Sequence, residues 1–75
     1  MATQVSPEVA RQGTFLESFP AKTNEVTEEV PPEVELCCAR MERELARQKV
    51  AGEIVYTMVP NWGKKRGGTF QVFLL

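Results

Sequence analysis

Val50-Ala51-Gly52-Glu53-Ile54-Val55-Tyr56-Thr57-Met58-Val59-Pro60 holds the point at which this chain changes its hydrophobic period. Upstream of Gly52, Val34, Cys37 or Cys38, Met41, Leu45 and Gln48 or Lys49 recur at i, i+3, i+4, i+7. That spacing puts one apolar stripe on a helix and leaves Arg40, Arg43, Glu44 and Arg47 on its opposite side. Downstream, Ile54, Tyr56 and Met58 alternate with Val55, Thr57 and Val59. Period two, with β-branched and aromatic residues in the majority, predicts a strand.

Punctuation supports both elements. Pro31 and Pro32 suit a first helical turn, where a missing N–H costs nothing, and Gly52 suits a left-handed residue closing a helix that runs to Val50. Glu33 and Glu35 near the helix N-terminus and Arg47 and Lys49 near its C-terminus complement the helix dipole. Pro60 ends the strand. Asn61 to Gly68 reads as a long turn, and Thr69 to Leu75 as a second strand with Phe70, Val72 and Leu74 on one face. The reading is therefore α+β: residues 33–75 form an amphipathic helix packed on a C-terminal β-hairpin.

A two-stranded ribbon under one helix is too little sheet to be stable by itself. The N-terminal segment offers two competing supplements. Thr14-Phe15-Leu16-Glu17-Ser18-Phe19 can be a strand with Phe15 and Phe19 on one side, which gives βαββ. Alternatively Ser6 caps about two helical turns that begin at Pro7 and end at Gly13. Otherwise residues 1–32 read as an acidic, largely flexible segment, with Ala21 to Pro32 as a linker.

The 75 residues fit one domain, and their formal net charge of -1 excludes the strongly basic profile of a nucleic-acid coat protein. The average conceals polarity: residues 1–36 carry seven acids and two bases, and residues 37–75 three acids and seven bases. No apolar run reaches the roughly 18 residues of a membrane span, and the first residues lack the basic-then-apolar order of a secretory signal. Two cysteines read as thiols suit the cytoplasm or another reducing compartment.

Catalytic chemistry is poorly served. Histidine is absent, and with it the commonest general base. Cys37 and Cys38 have no base to activate them. As helical neighbours they diverge by about 100°, so they do not converge on a metal ion, and they read as small buried side chains. The carboxylates are not paired across a cleft, and Gly63 to Gly68 lacks the Gly-Lys-Ser/Thr ending of a phosphate loop. No catalytic residue, cofactor or metal is expected.

What remains is contact chemistry. Trp62 stands beside Lys64, Lys65 and Arg66, and the helix adds Arg40, Arg43 and Arg47. Phe73 and Leu75 fall on the strand face turned away from the helix and require cover from the N-terminal segment, a second copy or a host protein. These residues point to a small non-catalytic accessory or regulatory protein. It would dock to a larger protein assembly, or self-associate, through its C-terminal hairpin. The rival reading is RNA or single-stranded nucleic-acid binding through the basic loop from Trp62 to Gly68, with the indole stacking on a base.

Overall fold

The computed structural model describes residues 2–25, 29–61, 63 and 67–75. In chain order the elements are β1 (Thr3–Gln4), α1 (Pro7–Ala10), β2 (Thr14–Ala21), α2 (Pro32–Gln48), β3 (Ile54–Pro60) and β4 (Gly68–Leu74). The strands form one mixed sheet in the order β1-β3-β4-β2. β3 and β4 make the antiparallel hairpin, with Met58 opposite Phe70 and Tyr56 opposite Val72. β2 adds antiparallel to the other side of β4, and β1 runs parallel to β3. The fold is α+β, one long helix on a four-stranded sheet.

Both N-terminal readings are realised together. Ser6 accepts a hydrogen bond from the Val9 N–H (3.4 Å) and Pro7 opens α1, which lasts a single turn. Gly13 then leads into β2. Residues 3–21 are thus built into the sheet and its cover, where the sequence suggested mostly flexible chain.

The helix is shorter than its sequence pattern. It ends at Gln48, and Lys49, not Gly52, takes the left-handed conformation (φ 56°, ψ 37°). The Lys49 N–H donates to the Ala46 carbonyl (3.2 Å) and the Val50 N–H to that of Leu45 (3.0 Å), satisfying carbonyls the helix leaves open. Gly52 has a different role: a Cβ there would run into the Leu74 side chain.

β2 also departs from simple alternation. Phe15 lies opposite Phe73 and Glu17 opposite Val72, so two residues of β2 advance the ladder by one step of β4 and Leu16 is the extra residue of a bulge. Phe15 and Phe19 therefore occupy opposite faces of the sheet, not one.

Burial follows the faces. Ile54 and Met58 of β3, Phe70 and Val72 of β4, and Ala21 pack against Val34, Cys37 and Cys38 of α2, with Leu16 and Phe19 at the margin. On the reverse face Val55, Phe73 and Ala10 of α1 form a second, smaller cluster with Val5 against it. Phe73 is only 7% exposed. The N-terminal segment supplies its cover, so Phe73 is a core residue and its side chain is withdrawn from the contact surface that the sequence suggested.

Candidate functional site: the open sheet edge and its surroundings

β4 lies inside the sheet, hydrogen-bonded to β3 on one side and to β2 on the other. The hairpin therefore cannot accept a further strand at β4. β1 covers only the start of β3, at Val55 and Tyr56. Among the described residues, the long unpaired edge is that of β2. It presents eight residues of backbone, Thr-Phe-Leu-Glu-Ser-Phe-Pro-Ala, with Glu17 as the single charge. Natural edges are commonly guarded by lysines, short length or a covering element. Here Glu17, the Leu16 bulge and Pro20 are the only such devices along the strand.

Apolar side chains flank this edge. Phe15 is 52% exposed and meets the buried Phe73 edge-on. Leu75 is 39% exposed. Its backbone is held by two hydrogen bonds to Glu53, and a Cβ on Gly13 would touch its side chain at 2.9 Å. The structure thus retains Leu75 as a surface residue next to the start of β2.

The remaining sequence candidates separate from this region. Trp62, Lys64, Lys65 and Arg66 lie outside the described residues. Arg40 and Arg43 are exposed on α2, and Arg47 pairs with Glu44 at 2.6 Å on the same helix surface. Such an exposed i,i+3 pair contributes at most about 0.5 kcal/mol. Leu36, which the sequence reading passed over, is 71% exposed on α2.

Two further features were not anticipated. Asn24 and Asn61 hold each other by reciprocal bonds: the Asn61 N–H donates to Asn24 Oδ1 (2.8 Å), and Asn24 Nδ2 donates to the Asn61 carbonyl (3.2 Å). A side-chain amide thereby copies the pairing of a strand and ties the chain after β2 to the base of the hairpin loop.

The second is a cleft of about 320 Å³ beside the first half of α2. Ala2, Val30, Val34, Ala39 and Tyr56 give it apolar walls, and Cys38, Glu35 and Glu42 complete the lining. Burial pushes the Cys38 thiol up to about 11, with smaller contributions from Cys37, Glu42 and Glu35. Tyr56 is raised by burial first, then by Cys38 and Glu35. Both groups stay protonated at neutral pH, and both register the negative field of the helix carboxylates. A neutral buried thiol is a poor nucleophile.

Among the described residues, no helix is long and apolar enough to cross a membrane, and no group of three or more His, Cys, Asp or Glu gathers in a metal-binding arrangement. Comparison with known proteins finds no matching family model, no matching curated protein and no matching solved structure.

Proposed function

We propose that this chain is a small non-catalytic accessory protein that works by association, and that β2 is the strand through which it associates. The observation that carries the reading is the free edge of β2, eight residues long with one charge. Backbone hydrogen bonding along such an edge tolerates many sequences, so the same strand can meet a second copy of itself across a two-fold axis. Glu17 excludes only registers that set its two copies face to face. Phe15 and Leu75 would add apolar contact beside the ladder.

The test is amide hydrogen exchange at low and high protein concentration. Outward-pointing N–H groups of β2 exchange freely in the monomer and become protected on pairing, while those of β4 are protected throughout. Protection that grows with concentration only around α2 would place the contact elsewhere. Protection that grows on adding a single-stranded oligonucleotide, near the 61–68 loop, would favour the nucleic-acid reading instead.

A further inference from the structure

We propose that two copies of this chain pair antiparallel along β2 with Ser18 on the two-fold axis and Phe15 opposite Pro20 of the second copy. The inference rests on strand pairing at β2 and adds its register, which the hydrogen bonds within the sheet decide.

In an antiparallel ladder the N–H and C=O of one residue point to the same neighbouring strand, and successive residues alternate. Glu53 and Leu75 exchange both backbone bonds (3.2 and 2.8 Å), so the Leu75 backbone addresses the β3 side. By alternation Phe73, Gln71 and Thr69 address β3 as well, while Leu74, Val72 and Phe70 address β2. Tyr56, opposite Val72, accepts from the Val5 N–H on its other side (2.9 Å), as this alternation requires. On β2, Thr14, Glu17 and Phe19 lie opposite Leu74, Val72 and Phe70 and turn inward. Phe15, Ser18 and Pro20 lie opposite Phe73, Gln71 and Thr69, so their backbone groups turn to the open edge. Residues three apart face the same way only because the bulge at Leu16 intervenes. Pro20 has no N–H, which costs the ladder to β4 nothing and leaves its carbonyl as an acceptor at the edge.

The edge therefore offers the N–H groups of Phe15 and Ser18 and the carbonyls of Phe15, Ser18 and Pro20. Two antiparallel registers between copies satisfy both donors. One sets Phe15 opposite Ser18 of the second copy. Leu16 and Glu17 then face Glu17 and Leu16, which brings the two Glu17 carboxylates to adjacent positions on one face, where like charges destabilise a ladder. The other pairs Ser18 with Ser18, which exchange both bonds, and the Phe15 N–H with the Pro20 carbonyl. Leu16 is the extra residue there, as it is against β4. This register sets each Glu17 opposite Phe19 of the second copy and so parts the two carboxylates. It also lays Phe15, 52% exposed, against a proline ring. Carboxylate separation and apolar cover favour the same choice, an isologous contact in which Ser18 meets its own copy.

Charge exchange at the axis tests this with the full chain. Sedimentation equilibrium compares the unmodified protein, Ser18→Lys, Ser18→Glu and an equimolar mixture of the two variants. Ser18 is exposed, so amide spectra of both variants should show the fold intact. Each variant alone sets like charges opposite one another and should dissociate at least about tenfold more readily than the unmodified chain. The mixture should form a heterodimer about as stable as the unmodified dimer, because only residue 18 faces residue 18. A mixture that associates no better than either variant, or a Ser18→Lys chain that dimerises undiminished, while the unmodified chain is a dimer, overturns the Ser18 register and leaves pairing at β2 standing. An unmodified chain that stays monomeric up to about millimolar concentration overturns both.

Discussion

Phe15 meets Phe73 edge-on, ring centroids 5.6 Å apart at 72°, while Phe19, four residues further along the same strand, lies opposite Phe70 on the other side of the sheet. The bulge at Leu16 produces this division, and through it one edge strand contributes to both hydrophobic clusters. Phe15→Ala should cost about 1–2 kcal/mol, for a half-buried ring and one aromatic pair. Phe73→Ala should cost about 3–5 kcal/mol. In a double-mutant cycle measured by urea unfolding, Phe15 and Phe73 should couple, whereas Phe15 and Phe19 should be additive. Additivity of Phe15 and Phe73 would contradict their ring contact.

Two backbone positions respond in opposite senses. A Cβ at Gly13 would strike the Leu74 carbonyl, a backbone group that cannot step aside, so Gly13→Ala should destabilise strongly or prevent folding. Lys49 instead holds a left-handed conformation that costs a side-chain-bearing residue roughly 1–2 kcal/mol. Lys49→Gly should therefore raise stability by about 1 kcal/mol, less the extra entropy of glycine in the unfolded chain. Thermal unfolding of the two variants checks both.

Alkaline pH should weaken the fold. Below pH 9 the Cys38 thiol is protonated whether the chain is folded or not. Between 9.0 and about 11 the unfolded chain loses that proton while the folded chain keeps it, so stability falls as pH rises through this window. Tyr56, raised from 10.0, acts in the same direction. The melting temperature should drop from pH 8 to about pH 10.5, and Cys38→Ala should make that drop shallower. A pH-independent melting temperature would contradict the burial of both groups.

The Asn24 to Asn61 clamp predicts a local effect. Asn24→Ala removes two exposed hydrogen bonds and should cost about 1 kcal/mol. Its amide spectrum should change around Asn61 and Gly63 and stay constant in α2.

The α2 and hairpin elements were legible because the hydrophobic period changes from 3.6 to 2 near Gly52, and because Pro32 and Pro60 punctuate them. Less was legible where structure depends on distant partners. β1 has two exposed residues and no alternation to reveal it; it exists only as a parallel neighbour of β3. Simple period-two reasoning put Phe15 and Phe19 together, since a bulge is set by the register against β4. Asn24 and Asn61 are 37 positions apart. Among the candidate contacts, the outward side of Arg40, Arg43 and Arg47 on the helix was legible from the face pattern. That Phe73 and Leu75 share a face needing cover was legible; that α1 and Phe15 cover Phe73 while Leu75 stays at the surface was not, because it depends on how the N-terminal segment packs.

Sedimentation equilibrium of the purified chain from micromolar to about millimolar concentration, beside a Thr14→Lys, Ser18→Lys variant, tests the role of β2 most directly. Both positions are exposed on the edge strand, so the lysines leave the core intact and place repelling charge on each approaching copy. The account predicts a reversible dimer of the unmodified chain and a monomeric variant with an unchanged melting temperature. A chain that stays monomeric throughout, or a dimer indifferent to the two lysines, would contradict it.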